Sequence, residues 1–415
     1  MRHVAFIAPR FLENTNRFLA AFAALDGATL SVISEDPESS IPPAIRPRVA
    51  AHYGVKSVLD GEQLLVAARA LTKGVGRIDR LNGVLEQLQI PMAHVRDGLG
   101  IEGIGGEVAQ NFRDKDRMKD VLRASDVPVA KSALVASPDA LRRFVDQVGF
   151  PIILKPQAGL GTRETYRIAS NDDIVALERR GQAPSRENPL QAEEFVVARE
   201  HTCETVTIRG TTVWRSGSRY FPTPLEVLEN PWVQYCVLLP REDPEEFVRF
   251  HTTNDAALAA LFGASAKTAA GTALTHMEWF LREDGKTALV NEVGARPPGV
   301  MLMPLMSLAH ETDMIADWAR LMSLDEFTPK PRRWAAGAAF FRGQGAGERV
   351  VQVEGIEEAI AAAGDALVEF RTPKVGMDRA SGYEGEGWAT VKSGTTEGVK
   401  QVLLALIEKV QVRYG

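Results

Sequence analysis

Apolar positions along this chain change period several times, and each change marks an element. H-V-A-F-I-A (His3–Ala8) is an unbroken apolar run, as in a strand covered on both faces. N-R-F-L-A-A-F-A-A-L (Asn16–Leu25) carries the three-to-four spacing of one helical face, and A-T-L-S-V-I-S (Ala28–Ser34) reads as a second strand. D-G-E-Q-L-L-V-A-A-R-A-L (Asp60–Leu71) and R-L-N-G-V-L-E-Q-L (Arg80–Leu88) again have helical spacing. This alternation predicts a first α/β domain over roughly residues 1–110.

Downstream, Asp114–Ser125 is helical and V-P-V-A-K-S-A-L-V is extended. Ser137 then caps a helix with Pro138 in its first turn, and F-P-I-I-L-K is a strand. From Gln191 to about Leu239 the pattern is strand-rich, with helices at Asp243–Phe250 and Asn254–Phe262. The tail has strand-like pieces (A-G-A-A-F-F, A-L-V-E-F-R, G-W-A-T-V) and a closing helix from Thr396. G-L-G-I-E-G (Gly98–Gly103) matches a dinucleotide fingerprint in spelling only, because no strand leads into it and no helix opens directly from it. It reads as a glycine-rich connection.

Composition narrows the classes. The chain has 415 residues, a net charge of −6 and 45% hydrophobic residues, which suits a multi-domain globular protein. No basic footprint for nucleic acid is present, and no window approaches a membrane span. Cys203 and Cys236 form no metal or redox motif; read as buried free thiols of a reducing compartment, they predict a cytoplasmic location.

Three constellations could carry chemistry. T-H-M-E-W-F-L-R and A-L-V-N-E-V flank E-D-G-K, so they read as a hairpin. With a three-residue loop at Asp284–Lys286, Glu278 and Glu292 oppose each other with Cβ atoms roughly 5 Å apart. Opposed carboxylates need a proton or a cation between them, and oxygen ligands suit Mg²⁺. A register slipped by one would instead send a glutamate to solvent. His276 shares the face of Glu278, whereas Asn291, adjacent to Glu292, is expected on the other face. Second, a strand ending at Lys155 runs into Gly159-Leu160-Gly161-Thr162 and a returning T-Y-R-I, either an ordinary hairpin or a phosphate cradle. Third, E-E-F-V-V-A-R-E (Glu193–Glu200) is a short strand with an acid at each end, either a solvated edge or a nucleoside contact.

Taken in order, these pieces resemble the ATP-grasp superfamily, from about residue 100 to 325. The resemblance implies an α/β (α+β grasp) fold: a Rossmann-like pre-ATP-grasp domain over 1–110, a two-part ATP-grasp domain over 111–330 with a mobile lid at about 128–198, and a small C-terminal α+β domain over 331–415. It implies ATP as co-substrate and Mg²⁺ or Mn²⁺ on Glu278 and Glu292. Lys115 and Lys155 would reach the phosphates under a loop containing Gly159, Gly161 and Thr162. Glu193 and the backbone of Glu194 and Val196 would hold adenine, and Glu200 the ribose. Arg296 would bind an acyl phosphate or substrate carboxylate, and His276 would position the acyl group or accept the amine proton.

One departure stands out: many members carry an asparagine two residues after the second glutamate, where this chain has Gly294. The activity implied is ADP-forming ligation of a small-molecule carboxylate to an amine, with no nucleic acid or membrane partner and a homodimer left open. Other ATP-grasp chemistry, of the biotin-carboxylase or acyl-CoA ligase type, or a non-catalytic nucleotide-binding module are the alternatives.

Overall fold

The apolar runs near the N-terminus pair as parallel strands: β1 (Arg2–Ala8), β2 (Ala28–Ser34), β3 (Val49–Gly54) and β4 (Arg80–Asn82), in the order β3-β2-β1-β4. This computed structural model describes residues 1–156, 165–229, 234–299, 301–380, 382 and 384–415. Helices Glu13–Ala23 and Gly61–Val75 cover the parallel sheet, the second capped by the Asp60 carboxylate.

One expected helix is not there. Of Arg80–Leu88, the first three residues are the buried strand β4 beside β1, Glu86–Leu88 is a single 3₁₀ turn, and the α-helix begins at Gln89. Gly83 marks the break: a Cβ there would meet the Leu88 Cδ1 at 2.8 Å, so a larger residue would require the Leu88 side chain to shift. The glycine-rich Gly98–Gly103 begins in the last turn of the helix Gln89–Leu99 rather than after a strand, with Gly100 in the left-handed conformation (φ 62°) that ends the helix.

The second sheet consists of β5 (Ser132–Val135), β6 (Ile152–Pro156), β7 (Tyr166–Ile168) and β8 (Leu190–Glu194) in the order β5-β8-β6-β7. Two helices, Pro138–Val148 and Asn171–Arg179, pack on it through Leu141, Phe144 and Ile174.

The third sheet is the largest. Its first members are β9 (Ala198–Ile208), β10 (Thr211–Phe221), β11 (Tyr235–Leu239), β12 (Ala273–Arg282), β13 (Ala288–Gly294) and β14 (Ala335–Phe341). The chain continues through β15 (Gly343–Gln344), β16 (Val350–Glu354), β17 (Leu367–Arg371), β18 (Gly387–Ser393) and β19 (Gln411–Tyr414). The order β13-β12-β9-β10-β11-β14-β18-β17 makes one eight-stranded sheet, and β15-β19-β16 a small one. Residues 331–415 therefore lengthen the central sheet, and their helix packs Val399 and Leu403 in one cluster with Cys236 and Leu238 of β11. The stretch Trp214–Phe221 belongs to β10, which lies inside the sheet between β9 and β11.

On β12 the two-residue alternation of a pleated strand separates two environments. Met277, Trp279 and Leu281 are buried on one face, where Phe250 of the long helix Glu245–Phe262 stacks on Trp279 at 4.0 Å. His276, Glu278 and Phe280 are less buried and line a cavity on the other.

Candidate active site

Glu278 and Glu292 are direct cross-strand partners, as the hairpin reading expects, but the route to that register differs. The Arg282 N–H donates to the Thr287 carbonyl at 2.9 Å, closing a four-residue turn, Glu283 to Lys286, rather than a three-residue loop. Gly285 supplies the positive φ (66°), and the Asp284 carboxylate accepts from the N–H groups of Lys286 and Thr287. From that turn a regular ladder would set Asn291 opposite Glu278. A bulge between Glu278 and Trp279, with Asn291 as the extra residue, restores Glu292 to that place.

The bulge also turns Asn291 the way its sequence position did not suggest. Instead of facing away, its Nδ2 lies 3.4 Å from Glu278 Oε2 and the side chain lines the cavity.

That cavity, of about 530 Å³, lies between the central sheet and the strands of the 128–198 segment. Lys115, first residue of the helix Lys115–Ala124 capped by Asp114, brings its Nζ to 2.6 Å from Glu292 Oε1. Burial pushes the Glu292 carboxyl up, but Lys115, Lys155 and Arg296 outweigh it and hold it well below the usual carboxylate range.

Lys155, on β6, pairs with Glu193 at 3.0 Å, and Lys119, one helical turn after Lys115, pairs with the other oxygen of Glu193 at 3.1 Å. Burial alone would lower Lys155, yet Glu193, Glu292 and Glu278 raise it. For Lys119 burial prevails and brings it down to about 8. Glu193 is pulled below its ordinary value to about 2, the two lysines outweighing the cost of burial.

His276 is held from both sides. Its Nδ1 is 2.8 Å from Glu204 Oε1 and its Nε2 is 3.6 Å from Glu278 Oε1. Burial disfavours the charged ring, but hydrogen bonds to Glu204 and Glu278 raise it to about 9. Glu204 is wholly buried and also accepts from the Thr202 hydroxyl at 3.0 Å. Glu200 lines the cavity and is raised well above the ordinary carboxyl value, by burial first and then by the charge of Glu278.

Arg296 does not stand free. Its Nε donates to Glu86, whose other oxygen accepts from Arg113 at 3.0 Å, and its Nη1 donates to the Pro297 carbonyl. Glu86 lies in the misread stretch before Gln89, which carries it from the N-terminal sheet to the cavity wall. Gly294 gains a physical account here. A Cβ there would lie 3.5 Å from Glu86 Oε2 and 3.7 Å from Arg296 Cγ, so any longer side chain would enter the space of that ion pair.

Thus Lys115, Lys155, Glu193, Glu194, Val196, Glu200, His276, Glu278, Glu292 and Arg296 all border one cavity. Gly159, Gly161 and Thr162 lie outside the described residues. Two expected nucleoside contacts are otherwise engaged: the Glu193 carboxylate holds two lysines, and the Glu194 N–H donates to the Lys131 carbonyl at 2.9 Å. Sequence reasoning missed Lys119, Glu204 and Glu86. Lys119 was legible, being four residues after Lys115 on one helix face. Glu204 and Glu86 have no local signal. Apolar walls for a flat ring come from Ile153, Val197 and Phe280, while Arg167 lies over the Phe195 ring at 4.2 Å.

The donor set fits a hard divalent cation. Two carboxylates oppose each other beside lysines suited to phosphate, and the Lys115 ammonium already sits on Glu292 as a cation would. Among the described residues no three His, Cys, Asp or Glu side chains converge as a ready metal cage, so further ligands must be neutral groups, phosphate or water. Arg209, Arg215 and Arg219 pair with Asp325, Asp255 and Glu246. No helix among the described residues is long and apolar enough to cross a membrane.

Residues 114–201 match the family described as carbamoyl-phosphate synthase L chain, ATP binding domain. An L-arginine-specific L-amino acid ligase of Bacillus subtilis is 27% identical over 174 residues, 41% of this chain and 42% of that protein. The D-alanine–D-alanine ligase of Acinetobacter baylyi is 30% identical over 132 residues, 31% of this chain and 38% of that one. The chain thus spans less than half the length of these curated relatives. Among solved structures, an L-amino acid ligase from Bacillus licheniformis superposes with a TM-score of 0.74 at 16% identity, covering 100% of this chain and 99% of that one. N5-carboxyaminoimidazole ribonucleotide synthetase from Thermotoga maritima does so with 0.69 at 17% identity, covering 100% of both. At those identities the likeness is one of fold.

Proposed function

We propose that this chain, whose fold is like that of an L-amino acid ligase and whose residues 114–201 match an ATP-binding domain, is an ATP-grasp enzyme, an ADP-forming ligase that joins a small carboxylate to an amine. The observation that carries the reading is the convergence of Glu278, Glu292, Lys115, Lys155 and Arg296 on one cavity. The names of its relatives, ligases of amino acids, favour amino acids as the acid and the amine.

In the proposed reaction a substrate carboxylate oxygen bonds to the γ-phosphorus of ATP as the bond to the ADP oxygen breaks. The amine nitrogen then bonds to the acyl carbon, phosphate leaves, and the amine proton passes to the departing phosphate. Glu278 and Glu292 would hold the divalent cation, which supplies charge neutralisation at the transferring phosphoryl group when bound. Lys115 and Lys155 would offset charge on the phosphates, and Lys115, which pairs with Glu292 in this structure, would be available for that role where Glu292 holds the cation. Arg296, anchored through Nε and Nη1, keeps Nη2 for a carboxylate or acyl phosphate. Both ring nitrogens of His276 face carboxylates, so the residue suits positioning of the acyl group better than acceptance of the amine proton. Residues 128–198 would act as the lid that excludes water from the acyl phosphate.

The test is phosphate release from ATP and Mg²⁺ with pools of amino acids and other acids and amines. Release that needs both an acid and an amine supports ligation. ATP binding without turnover in any pool would instead indicate a nucleotide-binding module, and normal turnover in Glu292→Gln would overturn the cation assignment.

A further inference from the structure

We infer that Asn291 is an oxygen ligand of the divalent cation in this site, brought there by the β-bulge; the inference rests on the proposal that Glu278 and Glu292 hold such a cation. In a regular strand, neighbours point to opposite faces, so the residue before a metal-binding glutamate would be lost to the site. Here the four-residue turn and the bulge set Asn291 and Glu292 together against Glu278. The Asn291 amide head then stands 3.4 Å from Glu278 Oε2. Adjacent ligands on an octahedral Mg²⁺ are about 2.9 Å apart, given metal–oxygen distances of roughly 2.0–2.1 Å. The amide head thus stands about half an ångström farther from Glu278 Oε2 than two ligands of one coordination sphere would.

The chemistry agrees. Without a cation the amide nitrogen faces the carboxylate, as a donor should. Rotation of the amide about its terminal bond exchanges nitrogen for oxygen, a hard neutral ligand that adds no charge to a pocket already holding two carboxylates. Among the described residues no other amide side chain lines the cavity: the following strand positions are Val293, buried on the other face, and Gly294, which has no side chain.

The experiment is a titration of free Mn²⁺, followed by its electron paramagnetic resonance signal, with a non-hydrolysable ATP analogue present. It compares wild type, Asn291→Ala and Asn291→Asp. Thermal unfolding midpoints and analogue affinity in EDTA check that each variant is folded with its nucleotide pocket intact. Asn291→Ala is expected to weaken Mn²⁺ by roughly tenfold or more. Asn291→Asp, which keeps the oxygen and loses the donor, is expected to bind Mn²⁺ at least as tightly as wild type. Unchanged Mn²⁺ affinity in Asn291→Ala would overturn the inference while leaving the Glu278–Glu292 cation site standing. Loss in Asn291→Asp equal to that in Asn291→Ala would also overturn it, because Asn291 would then serve only by donating a hydrogen bond to Glu278. If wild type takes up no Mn²⁺ with the analogue, the underlying cation site fails, and this inference with it.

Discussion

Replacing Glu193 with glutamine removes the one carboxylate held between two buried ammonium groups. Lys119, Lys155 and Glu193 expose only 1%, 11% and 5% of their side chains, so water can replace the missing partner only in small part, from the cavity side. A carboxyl moved from 4.5 to about 2 has its charged form favoured by about 3 kcal/mol, at 1.36 kcal/mol per tenfold change in proton affinity. Stranding the lysines makes about 3–5 kcal/mol the expected loss at pH 7. Lys119→Met should cost less than about 1 kcal/mol, because burial already brings that ammonium from 10.5 to about 8 against the pull of Glu193. The double variant should therefore be more stable than Glu193→Gln alone.

The pH dependence has a definite sign. The folded value of Glu193 lies below its unfolded one, so its contribution is complete above about 4.5 and is lost as pH falls toward 2. Lys119 acts oppositely: its burial cost is present at neutral pH and is relieved as pH rises from about 8 toward 10.5. Because the cage ties the helix Lys115–Ala124 to β6 and β8, amide hydrogen exchange is the assay, with β1 to β3 as the internal control. Glu193→Gln should speed exchange in β6 and β8 at pH 7, and the gap from wild type should narrow toward pH 3. Equal exchange in the two proteins, or a double variant no better than Glu193→Gln, would refute the reasoning.

Three further outcomes are expected. Gly294→Ala should be tolerated, whereas Gly294→Asn should displace Glu86 from Arg296 and raise the KM for the acid substrate roughly tenfold or more; equal KM values would count against the account given for that glycine. Cys203 and Cys236, buried and pushed up to about 12, should resist a thiol reagent at pH 8 until the protein unfolds, and rapid labelling of the native protein would contradict this. His201 has no hydrogen-bond partner for either ring nitrogen among the described residues and stacks on Trp279 at 4.6 Å. Burial lowers its ring to about 3, so the unfolded chain takes up its proton first as pH falls below 6.5, and native stability drops. His201→Phe should be within about 1 kcal/mol of wild type at pH 8 and more stable than it at pH 5, measured by urea unfolding; a loss above 2 kcal/mol at both would point to a polar role.

Much of this protein is written locally. Period-two and period-three-to-four patterns report which face of each element is apolar, and that is why the parallel N-terminal strands, the lysine-bearing β6, the capped helix at Ser137 and the β12–β13 hairpin were legible. The same alternation put His276 and Glu278 on one face, while the place of Glu292 opposite Glu278 needed the bulge as well. Where the pattern misled, a contact distant in the chain was responsible. The helical-looking stretch Arg80–Leu88 becomes a strand and a 3₁₀ turn because Arg80–Asn82 pairs with Val4–Phe6 of β1.

By itself, then, the sequence determined most of the order of elements, the faces they bury and the hairpin that carries the two glutamates, whose opposition the bulge completes. Only the tertiary structure decided what those glutamates and their neighbours do. Glu86 reaches Arg296 across 210 positions, and Glu193 is claimed by lysines from two separate elements. Asn291 enters the site because a turn one residue longer than expected is compensated by a bulge. Burial and ion pairing depend on which surfaces meet, and register depends on the sum of turn and ladder energies. Neither has a period that a single chain segment can display.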